Sequence, residues 1–345
     1  MWLDSVNAQM FSEFVLFFGT FLLSMFLTPF YTYYAYKYKW WKKQRQDSIS
    51  GKKLEVIAKI QKEKEGKRNF PTMAGAIGLV AVVAVTLICN FSRSQTWLVL
   101  AAFAGGGIVG LIDDIVNLYS HGKGVAGMRS WVKFVLILGL GVALGWFFAV
   151  RLGWTSIYIP FVGPWEIGVA GMIAVFAFAV VATGNAVNMS DGLDGLAGGL
   201  TMIAYGAFGV IALLQGQYGL AGFCFTVMGW LLSYVWFNVP PARFMMGDVG
   251  SFALGAGLGV VAMMTNCLLL LPIIGVVFVV ETGSVIVQNI SKKLRGKKIW
   301  LATPIHYHYV AQGWGEAKVV MRFWVIAGVF ACFGVFTALA AGMIK

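Results

Sequence analysis

Charge is scarce in this chain of 345 residues, because Asp, Glu, Lys and Arg together make up only 12% of it. Soluble globular proteins carry about 25% charged residues, so this composition excludes an ordinary cytosolic enzyme and a disordered chain. The hydrophobic share is 59%, and several apolar runs are long enough to cross a bilayer of about 30 Å. The sequence therefore predicts an all-α polytopic membrane protein.

Cysteine is also rare. The four cysteines lie in or beside apolar runs and form no CxxC pair, which favours buried side chains over a disulfide or a metal cluster. The N-terminus has no basic residue before its first apolar run, and that run is too long for the hydrophobic part of a signal peptide. We therefore expect the first helix to stay in the membrane.

Apolar windows predict ten spans in a single integral membrane domain that covers residues 1–345. The spans are expected at about 11–36, 71–91, 97–112, 131–150, 167–187, 197–215, 219–238, 251–265, 268–290 and 323–342. The loops after odd-numbered spans, together with Lys133 at the edge of the second of them, hold 23 of the 26 Lys and Arg residues. By the positive-inside rule these loops, at about 37–70, 113–130, 188–196, 239–250 and 291–322, are cytoplasmic and both termini are outside.

Two of the predicted loops show further patterns. Apolar residues recur among the charges of 52–64 in the first cytoplasmic loop, which predicts a short amphipathic helix at the anionic leaflet. This loop either anchors the topology alone or helps to recognise an anionic substrate, and its basic residues lack the aromatic surface that would indicate nucleic-acid binding. The external loop 151–166 alternates apolar and polar residues, which predicts a small hairpin.

The chain has only fourteen acidic residues, and six of them lie beside the cytoplasmic ends of spans: Asp113, Asp114, Asp191, Asp194, Asp248 and Glu281. An acid at the membrane edge is costly unless it faces a polar cavity, pairs with a cation or binds a metal. The sequence therefore predicts one polar cleft on the cytoplasmic face.

The first two acids are adjacent in the chain, so on a helix they point about 100° apart. One can face the cleft while the other orients a helix or a lysine, although both could simply cap a helix end. The residues Asn185, Asn188, Asp191 and Asp194 follow at intervals of three, interrupted by glycines. This spacing predicts that the helix ends near Asn188 and that a turn gathers oxygen ligands for a hard cation or a polar ligand. A polar linker between helices is the alternative.

The remaining polar groups precede or follow later spans. Asp248 comes directly before an apolar helix, whose first N–H groups would be free for a phosphate, or it is simply a favourable N-terminal acid. His306 and His308 alternate, so in an extended segment they would share a face and contact phosphate or transfer a proton. Carboxylates, lysines and histidines beside a bilayer suit Mg²⁺-dependent phosphoryl transfer from a soluble diphosphate to a lipid.

Several motifs lie in one order along nearly the whole chain: Phe70–Gly75, Asp113 with Asp114, Asn185–Ala197, Phe237 with Asn238, Met246–Ser251, Glu281–Gln288, Pro304–His308 and Glu316–Trp324. Together they resemble the polyprenyl-phosphate N-acetylhexosamine-1-phosphate transferases. Within them the chain is similar to the phospho-N-acetylmuramoyl-pentapeptide transferases, the MraY family. The last two motifs are closer to this pentapeptide branch than to the amino-sugar branches.

The resemblance implies transfer of phospho-MurNAc-pentapeptide from UDP-MurNAc-pentapeptide to undecaprenyl phosphate, giving lipid I and UMP for peptidoglycan synthesis at the bacterial inner membrane. It implies Mg²⁺ as the cofactor, with Asp248 as its ligand. Catalytic roles are implied for Asp113, Asp114, Asp248 and His306. Substrate contacts are implied for Thr72, Lys133, Asn188, Asp191, Asp194, Asn238, Gln288 and His308.

Two positions depart from the family pattern, because Tyr307 replaces the middle of three histidines and Met245 replaces a Phe. Asp113 would act as base or nucleophile, but a phosphate monoester is already mostly dianionic at neutral pH, which favours direct attack by the lipid phosphate. The alternatives are a related GlcNAc-1-phosphate transferase and a transporter, whose charges would lie near the bilayer midplane. The sequence leaves the oligomeric state open, a homodimer included.

Overall fold

The computed structural model describes residues 2–41, 70–92, 94–119 and 127–344, with side chains from residue 10 onward in the first helix. The amphipathic helix predicted over 52–64 lies outside these residues. The described elements, in chain order, are α1 Trp2–Lys37, α2 Gly75–Cys89, α3 Trp97–Tyr119, α4 Ser130–Trp146, β1 Ser156–Ile159, β2 Gly163–Glu166, α5 Gly168–Ser190, α6 Leu196–Leu214, α7 Tyr218–Asn238, α8 Gly247–Met264, α9 Leu271–Ile274, α10 Val276–Arg295, α11 Ile305–Ala311 and α12 Glu316–Ala340. A π-helical turn, Phe147–Arg151, continues α4, and a 3₁₀ turn, Leu268–Leu270, precedes α9.

The predicted all-α membrane class is confirmed. Eight of the described helices are long and apolar enough to cross a bilayer, a bent helix pair is a ninth, and α2 is a shorter apolar helix. Each of the ten predicted spans therefore coincides with one helix or with the bent pair.

One predicted span has a different shape from the one expected. The apolar run over 268–290 is not one straight helix, because the segment Leu268–Ile274 meets Val276–Arg295 at 82°. Gly275 lies between them outside helical geometry, and glycine is a poor helix former. A hydropathy window shows only that such a run is apolar and does not register its direction.

Helix α8 forms the centre of the bundle. All 18 of its residues are buried, and it packs between α3 and α5. Glycines allow this packing: a Cβ placed on Gly110 of α3 would lie 2.1 Å from the Asp248 carbonyl oxygen, and one on Gly255 would lie 2.5 Å from the Gly184 Cα. The helix backbones thus touch, which sets the height of Asp248 relative to α3.

The periphery of the bundle is apolar, as expected for side chains that face lipid. Large hydrophobic residues such as Phe11, Phe26, Phe333 and Phe336 are more than half exposed on α1 and α12. Soluble monomers rarely expose large contiguous apolar patches. The hairpin predicted in 151–166 is also confirmed, since β1 pairs antiparallel with β2.

Candidate active site

Lys133 joins two carboxylates at one end of the bundle. Its Nζ donates to Asp113 Oδ2 at 2.8 Å and to Asp248 Oδ2 at 2.5 Å. The three side chains come from α4, α3 and α8, and each carboxylate side chain is only 8% exposed. The Lys133 Nζ also lies 5.3 Å from the centre of the Phe252 ring. The ammonium group is therefore a shared cation for two acids that would otherwise repel each other.

The two adjacent aspartates of α3 have different partners, as their predicted angular separation requires. Asp113 Oδ1 accepts a hydrogen bond from the Met128 N–H at 2.6 Å. Asp114 is 1% exposed, and its Oδ2 accepts from the Val249 N–H at 3.0 Å. Because Val249 lies in the first turn of α8, Asp114 holds the start of the helix that carries Asp248. The Val249 N–H is consequently engaged, although the sequence suggested that this helix start would be free for phosphate.

Thr72 lies in a short segment that borders the start of α8. The Met245 N–H donates to the Pro71 carbonyl at 2.8 Å, and the Ala74 N–H donates to the Met245 carbonyl at 3.1 Å. Thr72 itself is 2% exposed, and its N–H donates to the Trp40 carbonyl at 2.9 Å. The segment before α2 and the segment before α8 are therefore joined by backbone hydrogen bonds and form one wall of the site.

The turn between α5 and α6 carries the polar residues predicted to gather there. Helix α5 continues to Ser190, two residues beyond the predicted end. Asn188 donates to a serine hydroxyl of α8 at 2.9 Å, and Asp194 accepts from a backbone N–H before α8 at 3.2 Å. Asp191 is partly exposed in the turn, whereas Asn185 donates to a carbonyl of its own helix at 2.8 Å. The structure thus joins two of the four residues, Asn188 and Asp194, to α8 or to the segment before it.

The two amide side chains predicted to contact substrate are bound to backbone groups. Asn238 accepts from the Gly195 N–H and donates to the Phe244 carbonyl, both at 2.8 Å. Gln288 donates to the Trp300 carbonyl at 3.0 Å, and its oxygen accepts from the Trp300 N–H at 3.1 Å. Both amides are almost fully buried. They shape the loops around the site, and their contact with substrate stays a prediction.

The two histidines do not share a face, which corrects the expectation of an extended segment. They lie on the short helix Ile305–Ala311, where residues two apart point about 200° away from each other. His306 is 0% exposed, and its Nδ1 lies 2.8 Å from Glu281 Oε2. His308 accepts at Nδ1 from the Leu301 N–H at 3.2 Å and lies nearer the surface.

Sequence reasoning grouped Glu281 with the other acids of the site but gave it no role. The structure shows that its side chain is 0% exposed and contacts His306. The sequence does indicate that Glu281 has a partner inside the protein, because this acid directly follows the apolar run Val276–Val280. The identity of the partner, 25 residues further along the chain, could not be read from spacing.

Met245, which replaces a Phe of the family pattern, differs in exposure from its neighbour Phe244. Phe244 is 1% exposed and packs edge-on against Tyr31, with the ring centres 5.6 Å apart. Met245 is partly exposed. Of the two, only the Met245 side chain is exposed to any extent.

The site can be tested for its fit to Mg²⁺. Within residues 2–41, 70–92, 94–119 and 127–344, no group of three or more His, Cys, Asp or Glu side chains is arranged to hold a metal. However, Asp113 and Asp248 direct one oxygen each at a common cation position, now held by Lys133 Nζ. Mg²⁺ usually binds one or two carboxylates and completes its shell with waters and substrate phosphates. The donor set therefore fits Mg²⁺.

Comparison with known proteins identifies the family. Residues 96–266, which include Asp113, Asp114, Lys133 and Asp248, match the model of glycosyl transferase family 4. A phospho-N-acetylmuramoyl-pentapeptide-transferase of Geobacillus thermodenitrificans is 36% identical over 328 residues, covering 92% of this chain and 95% of the relative. The chain belongs to the phospho-N-acetylmuramoyl-pentapeptide transferase family.

Other members of this transferase family show the same degree of similarity. The protein of that name from Levilactobacillus brevis is 38% identical over 283 residues, or 80% of this chain and 86% of the relative. The protein from Lactobacillus acidophilus is 40% identical over 268 residues, or 75% of this chain and 81% of the relative. The similarity is thus not confined to the short motifs and extends over 75% to 80% of this chain in these two relatives.

Proposed function

We propose that this protein transfers phospho-MurNAc-pentapeptide from UDP-MurNAc-pentapeptide to undecaprenyl phosphate, forming lipid I and UMP in peptidoglycan synthesis. The observation that carries the proposal is the bridge from Asp113 through Lys133 to Asp248, at the end of helices with lipid-facing surfaces. The relatives named above are similar over most of the chain and supply the class of reaction.

The reaction is a phosphoryl transfer between two phosphate-bearing substrates. An oxygen of undecaprenyl phosphate attacks the β-phosphorus of the UDP-sugar, and the bond from that phosphorus to the bridging oxygen breaks. UMP leaves with the bridging oxygen, so the product is a lipid diphosphate that carries the sugar and peptide. The Lys133 ammonium is suited to stabilise the negative charge spread over the transferring phosphoryl oxygens.

The contacts of Asp113 favour direct attack by the lipid phosphate over a phospho-enzyme. Oδ1 accepts the Met128 N–H and Oδ2 accepts the Lys133 ammonium. Hydrogen bonds to a carboxylate stabilise its charge, which makes it a weaker nucleophile. We therefore assign Asp113 to holding Lys133 and the cation position. A phospho-enzyme that forms from the donor alone and is lost in Asp113→Asn would contradict this assignment.

We also propose that the transfer depends on Mg²⁺, with Asp248 as its ligand and Asp113 as the neighbouring oxygen donor. When bound, the ion would neutralise the diphosphate and the leaving UMP. In the same proposal Asp114 acts by holding the start of α8, and His306 acts from a buried position. Asn188, Asp191 and Asp194 face the nucleotide, while Thr72 and His308 lie at the edge of the cleft.

We propose that the protein lies in the bacterial inner membrane with this site on the cytoplasmic side. The support is the distribution of basic residues, of which 23 of 26 lie in one set of loops or at its edge. A soluble nucleotide sugar would reach the site from the cytoplasm, and the lipid phosphate would reach it from the bilayer. A homodimer remains a separate hypothesis, which the mass of the purified protein in detergent would test.

The experiment measures UMP release by the purified protein from UDP-MurNAc-pentapeptide and, in a parallel reaction, from UDP-GlcNAc. Each reaction is run with undecaprenyl phosphate and Mg²⁺ supplied or withheld. We expect UMP only with the pentapeptide donor, the lipid and Mg²⁺ together. Release from UDP-GlcNAc alone would indicate the related transferase. No UMP from either donor would contradict an enzymatic role and leave the transporter hypothesis.

A further inference from the structure

Glu281 and His306 form a fully buried pair between α10 and α11. Both side chains are 0% exposed, and Glu281 Oε2 lies 2.8 Å from His306 Nδ1. A carboxylate oxygen can only accept, so an ionised Glu281 requires the proton on Nδ1. Desolvating such groups is costly unless they are well paired. The pair therefore fixes the orientation of the imidazole ring.

The other side of the imidazole ring lies against the turn between α5 and α6. A Cβ placed on Gly192 would be 2.3 Å from His306 Nε2, so the ring contacts the glycine backbone directly. The neighbouring Tyr307 donates its hydroxyl to the Gly192 carbonyl at 3.1 Å. Gly192 is thus held by two adjacent residues of α11, next to Asp191 in the turn.

These contacts form one chain from α10 to the acids of the site. Glu281 orients His306, His306 and Tyr307 hold Gly192, and Gly192 lies between Asp191 and Asp194. The far end of the turn is tied to the segment before α8, where Asp194 accepts from the Ala242 N–H at 3.2 Å and the Gly195 N–H donates to Asn238 at 2.8 Å. The near end of the turn, at Gly192, therefore depends on the ring of His306 and on the Tyr307 hydroxyl.

We propose that Glu281 is a positioning residue that acts through His306 to hold the Asp191–Asp194 turn in the conformation that binds the UDP-sugar. This inference rests on the proposed function, because it takes the turn to be part of the donor site. In this assignment Glu281 does not touch substrate, and the turn contacts the donor and not the lipid phosphate. The predicted signature is weaker donor binding with the lipid site unchanged.

The kinetic test compares Glu281→Leu, which removes the hydrogen-bond acceptor, with Glu281→Gln, which keeps one. We expect Glu281→Leu to raise the KM for UDP-MurNAc-pentapeptide about tenfold, with less than a threefold change in the KM for undecaprenyl phosphate. Glu281→Gln should stay within about threefold of the wild type. Thr282→Val is the matched control on the same helix, since the Thr282 hydroxyl makes no hydrogen bond within the described part of the chain.

A double-mutant comparison tests whether Glu281 acts through His306. If it does, Glu281→Leu combined with His306→Leu should raise the donor KM no more than either change alone. Additive effects, equal loss in Glu281→Gln and Glu281→Leu, or equal increases in both KM values would overturn the proposal.

A measurement without turnover separates this proposal from the proposed function. Hydrogen exchange at residues 188–196 should become faster in Glu281→Leu than in the wild type and Thr282→Val, while exchange at 239–246 should stay the same. Unchanged exchange at 188–196 would overturn the positioning role even if the enzyme is active. Faster exchange in a protein that releases no UMP would support the positioning role and contradict only the reaction.

Discussion

Replacement of Lys133 by Met is the most direct test of the bridged carboxylates. The change removes one ammonium group that contacts Asp113 and Asp248 at 2.8 and 2.5 Å, and it preserves most of the side-chain volume. Two carboxylates that are each 8% exposed then face each other without their cation. Breaking a buried ion pair in this way costs about 3–5 kcal/mol.

The lower end of that range applies here, because Lys133 is 19% exposed and water can partly replace it. We therefore expect a loss of about 3 kcal/mol, which corresponds to a fall of roughly 6 °C in Tm at about 2 °C per kcal/mol. Mg²⁺ should reverse most of this loss by taking the shared cation position. A ligand at a hundredfold excess over its Kd stabilises by about 2.7 kcal/mol.

The assay is thermal unfolding in detergent without nucleotide or lipid, in Mg²⁺ and in NaCl of equal ionic strength. Lys292→Met is the matched control, since Lys292 is an exposed lysine at the end of α10. In Lys133→Met, UMP release should fall at least about a hundredfold even with Mg²⁺ present, because the charge near the phosphoryl oxygens is lost. A Tm unchanged in NaCl, or an equal Mg²⁺ effect in wild type and variant, would refute the reasoning.

Two further predictions concern residues that shape the site. Gly110→Ala should lower Tm by several degrees and abolish most UMP release, because its Cβ would collide with the Asp248 carbonyl; Gly139→Ala, with nothing within 4 Å, should be neutral in the same assays. Asn238→Asp should lower stability by about 1–3 kcal/mol, since it loses the donor to the Phe244 carbonyl. Denaturant unfolding checks this, and a variant as stable as the wild type would show that the hydrogen bond contributes nothing.

Much of the fold follows from composition because a bilayer imposes a simple rule on sequence. Each span must be a helix of mainly apolar residues, so the predicted spans coincide with helices along the chain. The bend at Gly275 could not be predicted in this way, since both arms are apolar and the hydropathy average does not depend on their direction. It is the junction that lets α10 carry Glu281 and Gln288 inward.

The candidate site was predictable to the extent that charge is costly in an apolar environment. Asp113, Asp114 and Asp248 stood out because few acids adjoin the spans, and the structure brings all three together. Lys133 was found by resemblance alone, since it is one of 26 basic residues. The hydrogen-bond partners of Asn238 and Gln288 could not be inferred, because an amide serves a backbone loop and a ligand equally well.

The depth of the site follows from the packing of α3 against α8, because α3 extends well beyond the residue at which α8 begins. Gly106 of α3 lies against Phe252 and Gly110 lies against Asp248, so the chain direction of α3 is opposite to that of α8. Helix α3 then continues nine residues beyond Gly110 to Tyr119, about 13 Å at 1.5 Å per residue. Asp248 is level with Gly110 and therefore lies deeper in the bundle than the end of α3. Because bulk water reaches a carboxylate at this depth poorly, its charge needs Lys133 or a metal ion as a partner. Under the proposed function, the same recess would let a diphosphate reach the level of a lipid phosphate, and the acids beside the apolar spans would lie where the two substrates meet.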